Sequence, residues 1–133
     1  MHFELSIMYF VFIGILLGIL VGSFLKINIP PEYARYTAVA ILGVIDSIFG
    51  ALRSETEYKY DSVIFVTGLL FNMALAIFIT YVGDKLNVEL YLAVVIAFII
   101  RIFLNIGIIR TISIEKLRAL RAKRKSQETK KNR

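Results

Sequence analysis

The chain has 133 residues, 58% of them hydrophobic, with no cysteine and a formal charge of +6. That apolar fraction stands above the roughly 45–50% of soluble domains, and without cysteine there can be no disulfide framework, thiol nucleophile or thiolate metal site. The charge is local: residues 110–133 hold ten Lys or Arg against Glu115 and Glu128, while the preceding 109 residues hold six basic and eight acidic side chains.

The first residues, MHFELSIMYF, lack the basic start of a secretory signal, and SFLKIN after the apolar run lacks a small-residue cleavage pattern. Residues 7–25 therefore read as an uncleaved first span, 19 residues without a charge, close to the roughly 20 that cross about 30 Å of hydrocarbon. Lys26 and the Asn28-Ile29-Pro30-Pro31 stretch end it, and proline suits the first turn of the next helix. Residues 36–52 form a second, shorter run interrupted by Thr37, Asp46 and Ser47. A hydrophilic connector, 53–61, leads into residues 62–82, which are 21 uncharged residues. Gly83 to Asn87 reads as a turn. Residues 90–109 form a last span interrupted by Arg101.

In lipid every backbone N–H and C=O must be satisfied internally, so these runs should be helices. The expected fold is all-α, an integral membrane bundle of four transmembrane helices over residues 1–110, followed by a cytoplasmic basic tail, 111–133. The alternative is three crossings, with the second run re-entrant or interfacial. Four crossings place Arg53, Lys59 and the tail inside and Lys26, Arg35 and Lys85 outside; three leave only Lys85 outside. Both place the C-terminus in the cytoplasm by the excess of Lys and Arg, and the compartment is the cell membrane.

Measured from the cytoplasmic ends of their spans, Asp46 lies about 10 Å deep, Arg101 about 13 Å and Asn72 about 15 Å. Asn105 follows Arg101 by four residues, on the same helix face. A charge facing lipid at such depth is expensive, about 2.5 kcal/mol or more for Arg. Asp46, Asn72, Arg101 and Asn105 are thus expected to form a polar cluster inside the bundle. It either fixes helix register or lies on an ion or proton path.

Gly14, Gly18 and Gly22 make a G-x-x-x-G-x-x-x-G stripe, a device for close helix packing within the bundle or between two copies. Gly43 and Gly50 flank Asp46 and give its face the same property. In the tail, Ile114, Leu117 and Leu120 recur at threefold spacing among Arg118, Arg121, Lys123, Arg124 and Lys125. Such a segment anchors on anionic lipid or docks on an acidic partner; without aromatic interleaving, nucleic acid is not expected. The one histidine is His2. No G-x-S-x-G elbow, phosphate loop or metal-ligand pair occurs, so neither enzymatic activity nor a cofactor is expected.

The segments P-x-E-Y-A-R-Y, D-S-I-F-G-A-L-R, G-L-L-F-N, G-D-K-L-N-V-E-L-Y and R-I-F-L-N-I-G-I-I-R resemble the small basic protein family of Gram-positive-type bacteria over about residues 30–110. By position the motifs fall on Glu32, Tyr33, Arg35, Asp46, Gly50, Arg53, Asn72, Arg101 and Asn105. The resemblance implies a multi-pass membrane protein encoded beside division and envelope genes, with division or envelope membrane proteins as partners, and it implies no mechanism. The chain departs from the pattern at Ala51, where a second glycine is expected, and in its longer basic tail.

Overall fold

The computed structural model describes residues 2–131, which form four α-helices: α1 (His2–Phe24), α2 (Pro31–Thr56), α3 (Ser62–Leu86) and α4 (Leu90–Lys131). The chain divides into two units, one up to Pro30 and one from Pro31 onward.

The first unit is α1. Its large side chains from Phe12 to Phe24 are exposed, and Phe12–Phe24 is a short apolar helix. Within this unit an added Cβ at Gly14, Gly18 or Gly22 would meet no atom within 4 Å.

The second unit packs α2, α3 and α4 against one another. α2 opens on Pro31, whose fixed φ and missing N–H suit a first helical position, with Glu32 in the first turn complementing the helix dipole. It closes in a Schellman motif: Lys59 N–H donates to the Ser54 carbonyl (2.8 Å) and Tyr58 N–H to the Glu55 carbonyl (3.1 Å). Tyr58 takes the left-handed conformation at φ 57°. α3 is started by Asp61, whose carboxylate accepts from the amides of Val63 (2.8 Å) and Ile64 (3.1 Å), two of the orphan donors of a helix start. It ends at Asn87, left-handed at φ 52°, a conformation asparagine tolerates. Asp84 and Lys85, expected in the turn, form the last turn of α3 instead, because Asn87 supplies the reversal.

Gly83 permits that reversal. A Cβ there would stand 2.7 Å from the Val88 carbonyl oxygen and 2.8 Å from Leu90 Cβ. The core is small: Val39 from α2, Ala76 from α3, and Val94 and Phe98 from α4, with Leu42, Ile79, Tyr91 and Val95 against it. Gly43 brings α2 close to both neighbours, its Cβ position being 3.3 Å from Met73 Cγ and 3.5 Å from Phe98 Cζ. The buried residues of α3 are Ala76, Thr80 and Gly83, so only the half of α3 nearest the α3–α4 turn is enclosed.

α2, α3 and α4 are long and apolar enough to cross a membrane. The second run, expected to be short, is an unbroken helix of 26 residues, about 39 Å long, because Pro31 to Arg35 precede it and Arg53 to Thr56 continue it. The larger difference is α4. The boundary expected at 110 falls inside a single 42-residue helix, since the Ala, Leu, Arg, Lys and Glu of the tail are strong helix formers and no proline or glycine follows Gly107.

Candidate functional site

α2 presents Val39, Gly43, Asp46 and Ser47 as its buried stripe, the spacing of one helix face. α4 answers with Val94, Phe98 and Asn105. Arg101, between Phe98 and Asn105, lies at the margin of that stripe. Its Nη2 is 3.1 Å from Asp46 Oδ2, and the two ends of the pair are unlike: the Asp46 side chain is 0% exposed and that of Arg101 54%. The contact is an ion pair without hydrogen-bond geometry. Both Asp46 oxygens and the Ser47 hydroxyl are buried with no hydrogen-bond partner.

The remaining polar groups do not gather around this pair. Asn105 accepts from Arg53 Nη1 at 3.4 Å, and Arg53 Nε contacts Glu57 Oε1 at 3.2 Å. Asn72 is half-buried on α3 and its side chain makes no hydrogen bond among the described residues, because the part of α3 that carries it is not enclosed by α2 and α4. Four residues expected in one cluster therefore occupy three places: the Asp46–Arg101 pair, Asn105 with Arg53, and Asn72 by itself. Gly50 lies beside this region, its Cβ position 3.9 Å from Asn105 Nδ2. Ser47 and Arg53 were readable as parts of it, since they stand one and seven residues after Asp46 on the same helix.

A second polar group closes the opposite end of the unit. Arg35 reaches Asp84 at 3.3 Å and Glu89 at 4.0 Å, and the Tyr36 hydroxyl donates to Asp84 Oδ2 at 2.6 Å. The Arg35 guanidinium also lies 5.8 Å from the Tyr91 ring centroid. These groups are exposed. At the other end, Lys116 Nζ donates to the Thr56 carbonyl at 3.1 Å and lies 4.3 Å from the Tyr58 ring centroid. Arg118, Arg121, Lys123, Arg124 and Lys125 are exposed along α4 beyond it. Among the described residues no group of three His, Asp or Glu side chains could hold a metal ion.

A family model described as "Protein of unknown function (DUF1290)" matches residues 29–114. That stretch holds α2, α3, the Asp46–Arg101 pair and both flanking polar groups except Lys116; α1 and the outer part of α4 lie outside it. The "Small basic protein" of Bacillus subtilis (strain 168) is 41% identical over 98 residues, covering 74% of this chain and 81% of that protein. An uncharacterized protein of Mycobacterium tuberculosis (strain ATCC 25618 / H37Rv) is 35% identical over 95 residues, covering 70% and 78%. No solved structure matches the chain.

Proposed function

The chain belongs to the DUF1290 family of proteins of unknown function, and from that premise we propose a non-enzymatic, multi-pass protein of the cell membrane that assembles with itself or with other membrane proteins. The supporting observation is the surface of the second unit. Among the described residues its buried hydrophobic core has four members, while Phe71, Phe78, Ile100, Phe103 and Leu104 are among many large apolar side chains left exposed. In water such a surface would aggregate; in hydrocarbon it is matched to its solvent. Arg101 is half-exposed within that surface, its side chain bearing five donors with, among the described residues, one ion pair to occupy them. A guanidinium against lipid is costly, and a neighbouring helix with acceptors at that depth removes the cost.

Four crossings are proposed, α1 included, with both termini cytoplasmic. Association with division or envelope assembly rests on the family resemblance, and division or envelope membrane proteins are the partners it suggests. Tags on both termini, probed from outside intact cells, test the orientation: protection of both is expected, and labelling of the N-terminal tag alone would establish three crossings. A photoreactive residue at Leu104, beside Arg101, tests assembly. Adducts to a membrane-embedded helix are expected; adducts to lipid alone would remove the proposal.

One observation favours a second reading, transport. Asp46 is a buried, ion-paired carboxylate whose oxygens lack hydrogen bonds, next to a Ser47 hydroxyl that also lacks one, and buried polar groups without hydrogen bonds ask for an explanation. Proton or ion flux in vesicles of purified protein, abolished by Asp46→Asn, would establish transport in place of a purely structural role.

A further inference from the structure

We infer that the outer half of α4 is a stiff arm standing off the membrane, whose basic face seats in an acidic, apolar-floored groove of a cytoplasmic protein rather than on lipid headgroups. This rests on the proposed reading that α4 crosses the membrane with its C-terminal end in the cytoplasm.

The first support is length. Crossing the hydrocarbon takes about 20 residues, and α4 runs from Leu90 to Lys131. Residues 110–131 remain, about 33 Å of helix beyond the apolar layer. Within them Arg110, Lys116, Arg118, Arg121, Lys123, Arg124, Lys125, Lys130 and Lys131 face only Glu115 and Glu128 in charge.

The second support is direction. Lying down on the bilayer would require a kink near the membrane edge, and sharp kinks come from proline, glycine pairs or inserted groups. No proline lies in α4, and Gly107 stands within the span. Beyond it the helix is held. Lys116 Nζ bonds the last-turn carbonyl of α2, Thr56, at 3.1 Å and lies over the Tyr58 ring at 4.3 Å. Tyr58 holds that ring in place from a left-handed backbone, φ 57°, a conformation that costs a bulky residue about 1–2 kcal/mol. α4 is thereby tied alongside the end of α2 for more than a turn past the membrane edge.

The third support is electrostatic reach. Fields of the lipid surface fade over about 8 Å at physiological salt. Arg110 lies within that range and Lys116, about 9 Å past it, at its edge, whereas Arg121 stands about 16 Å and Lys125 about 22 Å past Arg110 along the axis. Anionic headgroups do not bind cations so placed.

The fourth is the pattern of the exposed face. Residues seven apart share a helix face, so Ile114 and Leu117 are succeeded by Arg121 and Arg124. A membrane-lying amphipathic helix keeps its apolar face apolar; this one becomes arginine within two turns. Leu117 and Leu120 remain 56% and 40% exposed among those arginines. Apolar anchors flanked by charge are what a helix presents to a protein groove, with acidic residues at the groove rim to complement the arginines.

The chain contains no cysteine, so single labels are unambiguous. Ser113→Cys and Ser126→Cys carry a fluorophore in the full chain, reconstituted in vesicles of phosphatidylcholine with or without phosphatidylglycerol and a headgroup-attached quencher. Several-fold weaker quenching at position 126 than at 113 is expected in both lipids; equal quenching in anionic vesicles would show the helix lying on lipid and overturn the inference. For the occupant, a photoreactive residue replaces Leu120 in cells. The expected product is a protein adduct whose mapped contact peptide is acidic, lost in R121E/R124E and kept in R121K/R124K. Absence of a protein adduct, a nuclease-sensitive adduct, or one indifferent to charge reversal overturns the docking role. Terminal tags found outside the cell would instead overturn the orientation on which it depends.

Discussion

Removing either member of the Asp46–Arg101 pair should destabilise the protein unequally. Asp46 is enclosed completely and Arg101 only by half. Arg101→Leu leaves a carboxylate with no counter-charge and no hydrogen bond in the core, a loss of about 3–5 kcal/mol by analogy with broken buried pairs. Asp46→Asn keeps the shape of the enclosed side chain and leaves the charge on the group able to reach toward water along its own stem; removing a hydrogen-bond-scale contact of this kind costs about 1–2 kcal/mol. The double variant D46N/R101L contains no stranded charge and should recover most of the larger loss, a coupling of about 1–3 kcal/mol. A charge swap, D46R/R101D, should not rescue, because position 46 is completely enclosed and a guanidinium on its longer stem would overpack it, at a cost of about 1–3 kcal/mol. Reversible unfolding in mixed micelles by titration with sodium dodecyl sulfate, followed by circular dichroism, measures all four variants. Equal losses in the two single variants, with the double variant equal to their sum, would refute the reasoning.

Gly83→Ala should lower stability by about 1–3 kcal/mol in the same titration, since its Cβ meets backbone atoms of Val88 and Leu90 that cannot swing aside. Alanine at Gly14, Gly18 and Gly22 should raise the helix stability of α1 itself by about 0.5–1 kcal/mol per site through helix propensity; if the stripe joins two copies, chemical crosslinking of the dimer falls in the same variants. Asp61→Ala should cost about 0.5–2 kcal/mol by orphaning the first amides of α3, and Asp61→Ser should recover most of it. Arg35→Gln should cost less than about 1 kcal/mol, an effect that 1 M salt erases, because the Arg35–Asp84 contact is open to solvent.

The hydrophobic pattern by itself determined that the chain is helical, how many helices it forms and which segments carry the exposed apolar side chains, because long uncharged runs would leave a backbone in hydrocarbon no other way to satisfy its hydrogen bonds. Counting residues from the span ends also placed Asp46 and Arg101 at one depth, and depth along a helix is fixed by rise alone. Rotation about the helix axes and splay between helices were not available from any single run. They decide that Asp46 is enclosed while Arg101 is half-open, that Asn105 serves Arg53, and that Asn72 stays apart. Helix ends were likewise misplaced where a backbone reversal rather than composition sets them: Asn87 in the left-handed region carries α3 through Asp84 and Lys85, and Tyr58 does the same for α2. The arm of α4 shows both limits together. Its charges are plain in the sequence, yet whether they lie on the bilayer or rise from it depends on an unbroken hydrogen-bond ladder and on Lys116 meeting the end of α2, 60 residues earlier in the chain, a long-range contact that only folding creates.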